Sequence, residues 1–245
     1  MGSKQQIGRG ILLGLTLSMG LTVVPMSCGE PEPTEAVSDA DDGGLTDLKL
    51  SPPPVEGAVL SVAGQVILRA DLEEIADAAG LAQPESSRPH HVRLALDNLL
   101  IPRAALAAAH SEQRALAKAA AEETLLELQA QTTSGAIHGA EMQELDVRKL
   151  GLALWYEFRH SQPGKWIGPV EDVGRFRLAR WVLVEAGPKP GQNAYTCEIL
   201  DFWFLEDTYP RPWVDAALAK AELLVHDMEI GKLVTVSMRW SMKRN

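Results

Sequence analysis

The spacing of hydrophobic positions changes several times along the chain, and each change marks an element. From Ala58 to Leu68 the pattern is AVLSVAGQVIL, two short apolar runs around Ala63-Gly64. Such a pair reads as a β-hairpin with Gly64 at a positive φ. A helix is expected from Ala70 or Asp71, because Asp71, Glu73 and Glu74 sit where a helix N-terminus favours acids. Its apolar stripe is Leu72, Ile75, Ala76 and Ala79, and Gly80 is expected to close it. A second helix starts near Pro89 and carries Val92, Leu94, Leu96, Leu99, Leu100 and Leu106, with a kink or break at Pro102. Ser111 reads as the N-cap of a third helix through Leu116, Leu125, Leu126 and Leu128. Thr132 to Gly139 is rich in turn residues. A fourth helix is expected over Glu141–His160, its broad face built from Leu145, Leu150, Leu152, Leu154, Trp155 and Phe158.

After Pro163-Gly164 the period shortens. Trp166 to Pro169, a turn at Gly174, then Phe176, Leu178, Trp181 and Leu183 read as strands, and Gly187 to Gly191 as a second turn. Tyr195 to Leu205 is another strand, Trp213 to Leu224 an amphipathic helix, and Leu233 to Trp240 a final strand. The fold class is therefore α+β: a hairpin with helices, then a small antiparallel sheet with a helix packed on it.

Composition sharpens this division. All thirteen aromatic residues lie at or after Trp155, while residues 58–154 are rich in Ala and Leu. Two folded parts are expected, a helical domain over 58–160 and an α+β domain over 161–245. Ahead of them stand two segments without a core. Lys4 and Arg9 precede an apolar stretch from Ile11 to Met26, too short for a comfortable membrane span and fitted to a secretory signal. It ends at Ser27-Cys28-Gly29, which resembles a bacterial lipoprotein signal, with Pro25-Met26 where an aliphatic and a small residue are usual. That resemblance makes residues 1–27 the signal peptide and Cys28 the lipidated residue. Residues 28–57 carry eight acids against Lys49 alone, with Pro31, Pro33 and Pro52-Pro53-Pro54, and read as a disordered acidic tether. Loss of Lys4 and Arg9 with the signal takes the net charge from −10 to −12. An acidic chain is unsuited to non-specific nucleic-acid binding, which needs a basic surface.

Taken in order, the hairpin VLSVAGQVI, the helix start LRADLEE and the run RLALDNLLIPRAALAAA before an Ala-rich helix resemble a known family. It is the N-terminal chaperone segment of parvulin-type peptidyl-prolyl isomerases, the SurA-like group and its lipidated foldase relatives. The resemblance covers about residues 55–130. Ala63 stands where that family's hairpin carries Asn, and Arg69 follows Leu68 where Thr is frequent. Leu96, Leu99, Leu100 and Ile101 match the family's apolar patch, which makes them the candidate client-binding residues. Gly168-Pro169-Val170 through Gly174 to Leu178 is similar to the closing segment of a parvulin domain, with Arg177 in place of its histidine. The chain before Gly168 lacks room for the rest of that domain, so the isomerase core is expected to be degenerate or absent.

A prolyl isomerase needs no cofactor, only an apolar cup and polar groups that favour the twisted amide. The candidates are Cys197, Asp201 and His226, with His160 beside them and Phe202-Trp203-Phe204 as the cup. Each also has a structural reading. Cys197 fits a small buried hydrophobe. His226 and His160 fit solvated helix ends, and the successive aromatics would face opposite sides of a strand. Adjacent His90-His91 point about 100° apart on a helix and suit a metal poorly. No cofactor and no metal are expected.

Three functions follow as expectations. The first is a lipid-anchored folding factor of the holdase type in the bacterial cell envelope, facing periplasm or exterior. Its partners would be unfolded or nascent envelope proteins and, through the lipid, a membrane. The second is a divergent peptidyl-prolyl isomerase. The third is a structural scaffold lipoprotein of an envelope assembly.

Overall fold

A computed structural model describes residues 49–130, 141–188, 190–206 and 209–234. The signal segment, Cys28, the tether up to 48, the turn at 132–139 and the basic C-terminal end with Arg239, Lys243 and Arg244 lie outside the described residues. So does most of the expected final strand.

The hairpin forms as its pattern implies. β1 (Ala58–Val62) pairs antiparallel with β2 (Gln65–Leu68), and the two loop residues, Ala63 and Gly64, have φ of 48° and 79°. Both positive angles match the right-handed strand twist, as the tightest hairpin turns require. Ala63 is the costly member, since a Cβ in the left-handed region crowds the backbone. Ala63→Asn is therefore expected to stabilise the protein by about 0.5–1 kcal/mol. Thermal melts should show a Tm rise of about 1–4 °C.

α1 (Arg69–Ala82) buries Leu72, Ile75, Ala76, Ala78 and Ala79. It does not stop at Gly80. Gly80 lies within the helix, and an added Cβ there would stand 3.0 Å from Nδ1 of His91, so glycine makes room for a neighbouring helix rather than ending its own. That neighbour is α2 (Arg88–Ala95), where His91 is buried. α2 passes into a π-type turn at Leu96–Leu100 and continues as α3 (Ile101–Ala109). Pro102 lacks a donor and clashes with the preceding turn of a regular helix; the widened turn just before it absorbs both effects. α4 (Ser111–Ala130) buries only Ala121 and Leu128, leaving Leu116 and Leu126 exposed.

The expected fourth helix is replaced by three pieces. β3 (Glu141–Leu145) pairs with a later strand, Asp146 caps the short α5 (Val147–Leu150) by accepting from the N–H groups of Arg148 and Lys149, and α6 (Leu152–His160) follows. Gly151, at φ 81°, makes the break between α5 and α6. β4 (Ile167–Asp172), β5 (Arg175–Glu185) and β6 (Ala194–Trp203) then complete an antiparallel sheet in the order β3-β6-β5-β4. Gly174, at φ 82°, turns β4 into β5 as expected. α7 (Arg211–Leu218), β7 (Leu223–Val225) and α8 (Met228–Leu233) close the described chain. Leu233, expected to open a strand, ends α8 instead, where Asp227 supplies the N-cap.

The compositional boundary is not a boundary of packing. β7 joins the N-terminal hairpin as a third strand, in the order β2-β1-β7. One core mixes Leu60, Leu72, Leu96 and Leu106 with Phe176, Leu178, Phe204 and Ile230. The small residues of the Ala-rich helices leave space that the later aromatics fill. Division at 160 into a helical and an α+β domain is thus corrected: residues Asp42–Asn245 form one compact unit, and its architecture is α+β. The tether also ends earlier than 57, because the Ser51 N–H donates to the Val225 carbonyl at 2.7 Å and Leu50 bridges to the same residue. No helix among the described residues is long and apolar enough to cross a membrane.

Candidate functional site

The four-stranded sheet has two differently covered faces. Side chains alternate along β6, so Tyr195, Cys197 and Ile199 face α5 and α6, packing with Leu150, Leu154, Trp155 and Phe158. Phe176, Leu178 and Phe204 belong to the larger core. The apolar cup expected from Phe202-Trp203-Phe204 is therefore split. Phe204 is buried 6.1 Å from Phe176, while Trp203 lies under the guanidinium of Arg175, 4.6 Å from it.

The three catalytic candidates do not share a site. Cys197 is buried in the second core, its Sγ 3.6 Å from the Gln143 carbonyl, and burial pushes its thiol up to about 11. At pH 8 such a group is thiolate in about one part per thousand, so it is no nucleophile. In the Asp42–Asn245 unit, whose one cysteine it is, Cys197 is expected to resist an aromatic disulfide reagent at pH 8 until denaturant is added. Rapid stoichiometric labelling of the native protein would contradict this burial. Asp201 is held by two arginines, accepting from Arg175 Nη1 at 2.7 Å and Arg177 Nε at 3.1 Å. His226 belongs to the other sheet, just after β7. Its Nδ1 donates to the Ser51 carbonyl at 3.0 Å, which leaves Nε2 to accept from the Ser61 hydroxyl at 2.8 Å. Expected at a helix end, this imidazole instead ties residue 51 to β1. His160 sits at the end of α6 with Nδ1 2.9 Å from the Tyr156 carbonyl.

Leu96, Leu99, Leu100 and Ile101 require a plain correction. None is more than 4% exposed, and all four belong to the larger core. The widened turn before Pro102 places them in the same core as Leu60, Ile67 and Leu72, so they cannot meet a client without unfolding.

What sequence reading missed lies at the far end of β5. β4 reaches no further than Ile167 opposite Ala179, and the Gly164 N–H donates to the Trp181 carbonyl at 2.7 Å. Beyond that point Leu183–Glu185 pair with β6 on one side, Val182 is the extra residue of a bulge, and no described strand lies on the other side. Val182, Leu183 and Val184 are 43%, 53% and 39% exposed. Three consecutive exposed apolar residues lie on a strand edge that no strand among the described residues covers, and such an edge offers backbone groups with apolar side chains beside them. A signal was present in the sequence: Val182-Leu183-Val184 breaks the polar–apolar alternation that a half-buried strand should show. A bulge between Trp181 and Leu183 adds twist there.

Comparison with known proteins adds no relative: no family model, no curated protein and no solved structure matches the chain.

Proposed function

We propose that the protein is a lipid-anchored, extracytoplasmic folding factor of the holdase type, which captures extended segments of unfolded or nascent envelope proteins on the open edge of β5. The observation that carries this reading is the exposed run Val182-Leu183-Val184 beyond the reach of β4. An extended chain added there gains backbone hydrogen bonds and apolar contact together, the physics of strand addition. Four residues of edge support only weak and reversible capture, which suits release without ATP. The bulge favours a short flexible segment over a second copy of this sheet, because added twist spoils flat edge-to-edge stacking. The anchor rests on the Ile11–Met26 stretch and Cys28.

The test is aggregation suppression of an unfolded outer-membrane protein. Leu183→Lys places a charge on the edge without touching the core, and is expected to weaken suppression about fivefold or more. Leu116→Lys, also at an exposed leucine but on α4, should leave suppression intact. Equal activity of the wild type and Leu183→Lys would sink the proposal.

A further inference from the structure

At the opposite end of β5 from the open edge, the sheet carries a second feature that client capture does not use. A cleft of about 500 Å3 is lined by Gln143 and Leu145 of β3, Lys149 of α5, Arg175 and Arg177 of β5, and Ile199 and Asp201 of β6. Its floor is built. The Arg177 side chain is 5% exposed and held in place, with Nη1 donating to the Leu150 carbonyl at 2.7 Å and Nε to Asp201. Its Nη2 makes no hydrogen bond among the described residues. Arg175 spans Asp201 and Asp172, the latter from Nη2 at 3.2 Å, and lies over Trp203. Lys149, on the rim, has no side-chain partner among the described residues.

Charge and shape narrow the ligand. Of the three cations lining the cleft, Arg175 and Arg177 are paired with Asp201 and Asp172, and the ammonium of Lys149 makes no ion pair among the described residues. Burial first, and then the charge of Arg175, lower the Arg177 pKa. A single remaining charge fits a monoanion, and Asp201 repels a dianion. Nη2, the guanidinium nitrogen left without a partner among the described residues, can give a carboxylate oxygen a charge-assisted hydrogen bond. Leu145 and Ile199, both buried, supply an aliphatic wall beside the cations. We infer that this cleft binds a monocarboxylate carrying a small branched aliphatic group, through Arg177 and Lys149. The same chemistry is presented by the C-terminus of a polypeptide ending in Val or Leu and by a free short-chain acid.

Calorimetric titration of the Asp42–Asn245 unit distinguishes these sources. The probes are acetyl-Gly-Leu-Val as free acid, the same peptide as its C-terminal amide, isovalerate and inorganic phosphate. The expected result is saturable binding of the peptide acid or isovalerate, with the amide at least about tenfold weaker, since an amide brings no charge to Arg177 Nη2 and Lys149. Binding of the peptide acid but not isovalerate assigns the site to chain termini, and comparable binding assigns it to a free acid. Lys149→Met, on the surface, should weaken the preferred acid about threefold, in line with an exposed ion pair. Arg177→Lys, which keeps the charge and loses the Nη2 donor, should weaken it about tenfold or more in samples whose melting curves remain cooperative. Equal binding of acid and amide, tighter binding of phosphate, or no heat from either acid up to about 10 mM would overturn the inference. The Leu183→Lys variant should bind the acid as the wild type does, so this site and the client edge fail or stand separately.

Discussion

Leu96→Ala is expected to destabilise the protein by about 2–5 kcal/mol, a large share of the roughly 5–15 kcal/mol that holds a domain folded. Leu96 is completely buried and opens the widened turn that accommodates Pro102. Its side chain belongs to the core that also holds Leu60, Leu72 and Leu106, so truncation leaves a cavity there. Urea unfolding should show a lower midpoint at unchanged slope. Leu116→Ala, on the exposed face of α4, should shift stability by no more than about 0.5 kcal/mol. If Leu96 lined a client groove instead, the order would reverse: stability would hold and client capture would fall.

The second large effect is expected at the arginine pair. Asp201→Ala removes the carboxylate that Arg177 uses, leaving a nearly buried guanidinium with the Leu150 carbonyl and with Asp172 at 3.8 Å. Removing one partner of a buried ion pair costs about 3–5 kcal/mol, because the surviving charge has lost its compensation. A fall in Tm of about 10 °C is the expected reading. The double variant Arg177→Met/Asp201→Leu should recover most of the loss, since apolar replacement of both partners removes the stranded charge. An unchanged melting temperature in Asp201→Ala would mean that the network contributes nothing to the fold.

Which parts of this architecture were legible in the sequence follows from how local their causes are. The hairpin around Ala63-Gly64, the stripe of α1 and the turn at Gly174 depend on neighbours within a few residues, and the pattern read them in the right place. β3 was read as helix because Glu-Met-Gln-Glu-Leu has no alternation of its own. It becomes a strand by pairing with β6, some fifty residues later. The joining of β7 to β1, and of His226 to Ser61, spans more than 160 residues and leaves no mark in either segment alone. The patch at Leu96–Ile101 shows the same limit from another side. Apolar spacing says that a face will be covered, but not whether a core or a client covers it. Arg175 and Arg177, two apart on a strand, were written in the sequence as neighbours on one face; their meeting with Asp201 needed the register of β5 against β6.

The central claim is that extended chain is captured on the edge of β5. Hydrogen–deuterium exchange of the Asp42–Asn245 unit, with and without an unfolded outer-membrane protein held in solution, tests it most directly. The account predicts that backbone amides in Val182–Glu185 gain protection when client is present, and that Leu183→Lys abolishes the gain. Client held in solution with exchange at Val182–Glu185 unchanged, or with new protection confined to another element, would contradict it.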